Sequence, residues 1–201
     1  FYSYIALISY RLYLKFMTVE INYKNSGFKS STGNLVLFVD EKFNVNGIKK
    51  IISESEFLYI SDILKQNDFK KKLRVFELNS KKKIVLISIK KDLKSFEAEN
   101  LGAELYETIK NEKYAEYAIN SDTINSKIKN FLGYFLHGFK LKSYKFNIYK
   151  SHKDKKDISL DIIGSKNKNS TQNQLRFKAL EEGTFFARDL VSEPGNVLHP
   201  D

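Results

Sequence analysis

The apolar and polar positions of this chain follow two periods in turn. Val19–Tyr23 (VEINY) alternates at every residue, as a strand with one buried face does. Residues 35–39 (LVLFV) are apolar throughout, which predicts a strand covered on both faces. Residues 73–78 (LRVFEL) and 84–89 (IVLISI) predict two more strands across the polar turn 79–83, and residues 114–119 and Ile158–Ile163 predict another two. Between them the period lengthens. A short helix is expected over 46–53. A long one is expected over 92–110, where Leu93, Phe96, Leu101, Leu105 and Ile109 share one face. A third, capped at Ser121 or Asp122, carries the stripe Ile124, Ile128, Phe131, Leu132, Phe135 and Phe139. A last helix runs over 174–191 and is stopped by Pro194 and Gly195. Strands alternating with helices predict an α/β domain built on a mixed, mainly parallel sheet.

The polar stretches set the expected boundaries. Residues 24–33, 150–157 and 164–173 read as loops, the last of them a linker. One domain is expected over 17–165, and the segment 166–201 as a helix leading out of it toward a second domain. Residues 1–16 (FYSYIALISYRLYLKF) stand apart. Their charges, Arg11 and Lys15, come after the apolar run instead of before it, unlike a signal peptide. The run is also shorter than the roughly 20 residues of a membrane-spanning helix. The native start is expected at Met17, with 1–16 an upstream extension; a membrane-surface anchor is the other account.

Composition narrows the function classes. With 201 residues, 42% of them hydrophobic and 29% charged, the chain can bury a sizeable core. It has no cysteine, which excludes disulfides and thiolate metal sites. The net charge of +10 raises a nucleic-acid reading, with Lys70–Lys72, Lys81–Lys83 and Lys153–Lys156 as the clusters that would track phosphates. Against it, only Arg11, Arg74, Arg176 and Arg188 among the 34 basic residues offer the planar fork that grips phosphate. A solvated lysine-rich surface is the simpler account, with a basic nucleic-acid-binding module as the alternative function.

No catalytic constellation is legible. His137, His152 and His199 lie far apart, and none has a second ligand at metal spacing. His137 is expected to be packed or at the surface, and His152 solvated. Glu181 and Glu182 face different ways on a helix, so they read as exposed charges and not as a joint acid–base pair. Asp40 and Glu41 receive the same reading. There is no G-x-S-x-G elbow, P-loop or G-x-G-x-x-G, so a macro-domain-type binder of ADP-ribose lacks its phosphate loop.

One segment says more. Residues 179–200 read ALEEGTFFARDLVSEPGNVLHP. Ala187, Arg188, Asp189, Leu190, Val191, Glu193, Pro194, Asn196 and Pro200 match a motif close to A-R-D-L-V-N-E-P-x-N-x-x-T-P, while Ser192 and His199 depart from it. Residues 138–150 fit G-x-x-L-x-x-Y-x-F-x-x-Y-K with Tyr144, Phe146, Tyr149 and Lys150 in register. Residues 34–40 and 100–106 agree more loosely. In this order the segments resemble the leucyl (cytosol) aminopeptidase family, at the helix and loop that join its two domains.

The resemblance implies a macro-domain-like three-layer α/β domain, N-terminal to a catalytic domain and ending in the inter-domain helix. It implies a cytoplasmic metalloexopeptidase that assembles as a homohexamer and releases N-terminal amino acids from peptides. Two divalent ions, manganese or zinc, would be held by Lys, Asp and Glu of the C-terminal domain in motifs resembling V-G-K-G and N-T-D-A-E-G-R. Neither string occurs here. Carried over residue by residue, the family therefore assigns no catalytic, cofactor-binding or metal position to this chain. Alone it is expected to be inactive, with its own catalytic domain as first partner, the peptide reached only through that domain, DNA a lesser candidate and no membrane partner.

Overall fold

The structure is a computed structural model that describes residues 19–24, 33–65, 71–112, 115–147, 149 and 158–195. The extension 1–16, Met17, the loop 150–157 with His152 and Lys153–Lys156, and the segment 196–201 with His199 lie outside the described residues.

Six strands form one sheet: β1 (Val19–Tyr23), β2 (Asn34–Val39), β3 (Leu73–Asn79), β4 (Lys82–Ser88), β5 (Glu116–Asn120) and β6 (Ile158–Ile163). Their order is β1-β6-β5-β2-β4-β3. All neighbours pair in parallel except β3, which returns antiparallel on β4. The expected mixed, mainly parallel sheet is what forms. β2 sits at its centre, and all six of its residues are buried. Val36 and Phe38 enter one core while Leu35, Leu37 and Val39 enter the other, as the period of two demands.

Two layers of helix cover those faces. Helices α2 (Ser95–Ile109) and α3 (Phe131–Ser143) share the larger core with Val36 and Phe38. The rings of Phe131 and Phe135 meet Phe38 edge-on at 5.4 and 5.3 Å. Helix α1 (Glu54–Lys65) seals the smaller core through Ile60 and Leu64. Helix α4 (Thr171–Ser192) lies outside these layers, against α3. Ser170 caps it by accepting the Asn173 amide at 3.3 Å, so it starts earlier than the expected 174.

Two expectations about helices need correction. Residues 46–53 do not form the predicted helix; only Asn46–Ile48 makes a 3-10 turn, and the real helix, α1, starts at Glu54. Ser53 and Glu56 make its capping box, the Ser53 Oγ accepting the Glu56 amide and Glu56 Oε2 accepting the Ser53 amide. The helix expected to start at Ser121 or Asp122 is only a 3-10 turn, Ser121–Thr123. The chain then runs irregularly, and α3 begins only after Asn130, which takes a left-handed conformation at φ 67°. Ile124 and Ile128 still pack on the larger core, so their apolar spacing reflected burial without helix.

Candidate functional site

In open α/β sheets a ligand crevice opens at the carboxyl ends of the strands, where successive crossovers diverge. Here that point lies between β2 and β5. The protein's own chain fills it. Thr123 Oγ1 accepts the Phe38 amide at 3.0 Å, and Asp122 Oδ1 accepts the Ser165 and Lys166 amides at 2.8 and 2.6 Å. Gly164, at φ 114°, lies so close that a Cβ would stand 2.6 Å from Ser121 Oγ. Among the described residues, 121–123 and 164–166 thus pack against one another at this end of the sheet.

Asp40, Glu41 and two lysines of the cluster Lys81–Lys83 have partners within the fold. Asp40 Oδ1 accepts the Lys42 and Asn44 amides and so fixes a turn. Glu41 lies 3.7 Å from Lys90. In the cluster Lys81–Lys83, Lys82 pairs with Glu56 at 2.6 Å, and Lys83 with Glu77 at 2.8 Å and Glu112 at 2.7 Å. The hydrogen bonds that the Lys83 ammonium donates to Glu112 and Glu77 hold its pKa well above its ordinary range. Two of these three cations are therefore compensated within the fold and add little to any phosphate-binding surface. Among the described residues no group of three or more His, Cys, Asp or Glu is placed to hold a metal ion.

What stands out is α4. Its inner face, Phe177, Glu181 and Phe185, recurs every four residues and is buried. His137, expected to be packed or at the surface, is packed: its ring lies 5.0 Å from Phe177, and its Nδ1 is 3.4 Å from Glu181 Oε1. Lys140 donates to Glu181 Oε2 at 3.0 Å. Glu181 is thus not the exposed charge the sequence suggested but a carboxylate only 6% exposed, placed between a histidine and a lysine of α3. Glu182, one residue on, turns outward to Lys178 at 3.9 Å. A pair of adjacent acids gave no sign of which one a neighbouring helix would cover.

The two most telling sequence segments meet at the end of this helix. Tyr144 stacks on Phe185 at 5.4 Å and donates its hydroxyl to Asp189 Oδ1 at 2.7 Å. Burial, reinforced by that bond to a carboxylate, pushes the Tyr144 phenol up to about 12. Arg188 donates to the Leu141 carbonyl at 2.7 Å and lies over the Tyr144 ring. Tyr149 donates to Glu193. Arg188, Asp189 and Glu193 of one motif therefore hold Tyr144 and Tyr149 of the other.

The outer face of α4 has no partner among the described residues. Leu175, Leu180, Phe186, Leu190 and Val191 are exposed, Phe186 at 61% and Val191 at 88%. Beside them a groove of about 710 Å³ runs past Ala179, Gly183 and Ala187. A helix apolar on both sides is made to be sandwiched.

No family model matches the chain. In sequence it is 38% identical over 81 residues to a probable cytosol aminopeptidase of Clostridium perfringens, covering 37% of this chain and 16% of that protein. It is 27% identical over 115 residues to a probable cytosol aminopeptidase of Dinoroseobacter shibae, covering 57% of this chain and 22% of that protein. The chain is related to the leucyl aminopeptidases. Its fold agrees: a mutant of tomato leucine aminopeptidase superposes with a TM-score of 0.67 at 19% identity, covering 90% of this chain and 40% of that one. Coxiella burnetii cytosol aminopeptidase superposes at 0.55 with 12% identity, covering 88% and 34%. The chain thus spans only about a sixth to a fifth of the length of the curated aminopeptidases it matches. Among the described residues no helix is long and apolar enough to cross a membrane.

Proposed function

We propose that this chain is the N-terminal assembly and positioning domain of a leucyl aminopeptidase, a cytoplasmic two-metal exopeptidase that works as a hexamer. The observation that carries this reading is the two-faced α4. Tyr144, Arg188 and Asp189 lock one face to the sheet domain, while Phe186, Leu190 and Val191 hold the opposite face open. That geometry suits a helix seated between two domains. Residues 17–165 form the first of these domains, and 166–201 carry the joining helix toward the second.

Among the described residues no group of three or more His, Cys, Asp or Glu is placed to hold a metal ion, and the proposal assigns no metal ligand to this chain. Metal binding and peptide cleavage belong, in this proposal, to the catalytic domain that α4 leads to. The chain's own residues contribute orientation: Arg188 and Asp189 fix the angle at which α4 leaves the sheet domain, and its outer apolar side chains receive the catalytic domain.

The test is the pair Phe186→Asp and Val191→Asp. In the isolated chain both side chains face water, so thermal stability should stay within about 0.5 kcal/mol of wild type, as for ordinary surface changes. In the enzyme expressed from the full gene, the same pair should abolish leucyl-p-nitroanilide hydrolysis and the oligomer together. Full activity in that double variant would refute the role given to the outer face.

A further inference from the structure

A second unpartnered surface lies at the far side of the sheet, on the outer edge of β3. Ser88 donates its amide to the Lys72 carbonyl at 2.7 Å, which makes 72 and 88 a hydrogen-bonded pair of the antiparallel β3–β4 ladder. The register Leu73↔Ile87, Arg74↔Leu86, Val75↔Val85, Phe76↔Ile84 then fixes every second residue. Arg74 and Phe76 turn their amides and carbonyls toward β4. Leu73, Val75 and Glu77 turn theirs outward, where among the described residues no strand meets them. The Glu77 carbonyl is approached by Tyr59 Oη, at the 3.5 Å limit of a hydrogen bond.

This edge is also accessible. It lies in a groove of about 720 Å³, with Tyr59 and Ile63 of α1 on one bank and Glu104 and Thr108 of α2 on the other. A strand can enter such a groove and extend the sheet. Val75, on the groove floor, is 38% exposed.

We infer that the occupant is β3 of a second copy, paired antiparallel about a two-fold axis at Val75. Four features of the strand select this partner and register. The outward groups sit on odd-numbered residues, so hydrogen-bonded pairs must join odd to odd, as a two-fold axis normal to the sheet requires. Centring on Arg74 would oppose two arginines, and centring on Glu77 two carboxylates. Centring on Phe76 would pair Leu73 with Asn79 across the irregularity between Glu77 and Asn79, so fewer hydrogen-bonded pairs would fall within the regular stretch than with the axis at Val75. Centring on Val75 pairs Val75 with itself and Leu73 with Glu77 of the other copy. It also brings Lys71 of each copy diagonal to Glu77 of the other, a carboxylate that shares Lys83 of its own copy with Glu112, so opposite charges face each other across the axis. Exposed Lys71 and Lys72 discourage random edge pairing, and this register gives Lys71 an opposite charge. The inference stands apart from the aminopeptidase reading and holds or fails without it.

Val75→Cys tests it in the full 201-residue chain. Because the sequence has no other cysteine, any disulfide dimer must join the two Val75 positions. A hydrogen-bonded antiparallel pair places the α-carbons about 5.5 Å apart, within disulfide reach. Under mild oxidation Val75→Cys should cross-link at least tenfold faster than Phe96→Cys, a control on α2 whose side chain is exposed and not, as its spacing predicts, on the buried face. Sedimentation equilibrium of the wild type should show a concentration-dependent species of twice 23.4 kDa. Val75→Pro should remove it, since the lost amide faces the groove and not β4. Equal cross-linking of the two cysteine variants overturns the inference, as does a wild type that stays monomeric or a dimer that survives Val75→Pro. Should Val75→Pro fail to fold, the cross-linking ratio decides alone.

Discussion

Helices α2 and α3 cross at two glycines, and one added methyl group tests how closely. A Cβ on Gly102 would stand 1.9 Å from the Phe135 carbonyl oxygen and 2.9 Å from the Phe139 nitrogen. Gly138 is the reciprocal notch, its Cβ falling 2.0 Å from the Glu99 carbonyl oxygen. Both obstacles are backbone, which cannot rotate aside as a side chain can. Gly102→Ala must therefore push the helices apart by about 1 Å, against a core packed as densely as an organic crystal. Overpacking of this kind costs about 1–3 kcal/mol, and the rigid neighbour places Gly102→Ala at the upper end. The gain in helix propensity returns about 1 kcal/mol. The net loss is about 2 kcal/mol, or a fall of roughly 4–8 °C in Tm for a chain of this size. Gly183→Ala, in the middle of α4, is the control: nothing lies within 4 Å of its Cβ, so propensity acts alone and stabilises by about 0.5–1 kcal/mol. Thermal unfolding followed by circular dichroism reads both. If Gly102→Ala melted at or above the wild-type temperature, the close crossing of α2 and α3 would be wrong.

Two further predictions concern charge. Lys140→Met leaves buried Glu181 with His137 alone and should destabilise the chain by about 2–4 kcal/mol, whereas adding Glu181→Leu should recover most of that loss. Urea unfolding of the two variants measures this, and a double variant no better than the single would contradict it. Burial tends to raise the Glu56 carboxyl, but the Lys82 ammonium and the Ser53 donors outweigh it and hold the group below its ordinary 4.5. A depressed folded value gives stability that is complete above 4.5 and is lost as pH falls through the folded value. The stability gap between wild type and Glu56→Gln should therefore shrink between pH 6 and pH 3, and a gap constant with pH would refute the assignment.

The strands were legible because each kept its own period. β6 matches its expected bounds, as does β1, and the uniform apolar run of β2 announced burial on both faces. Helix α1 lies beyond the short helix expected over 46–53, although its capping box, Ser53 with Glu56, stands in the sequence; Ile48 and Ile52, just before it, are apolar without lying in an α-helix. They are buried in the smaller core from a turn instead. The late start of α3 depends on Asn130 adopting a positive φ, a tertiary choice that no periodicity records. At the candidate site, the motif residues Arg188 and Asp189 could be recognised, but not their hold on Leu141 and Tyr144. Such contacts join segments more than 40 residues apart, and spacing along the chain does not report them. For the same reason the burial of Glu181 and the openness of Phe186 and Val191 needed the fold.

The most direct measurement of the central claim is the nucleotide sequence of the gene beyond the codon for Asp201. We expect an open frame that runs on into segments resembling V-G-K-G and N-T-D-A-E-G-R, the metal-binding half that the proposal places against the outer face of α4. A stop codon directly after Asp201, or a frame leading into an unrelated domain, would contradict it.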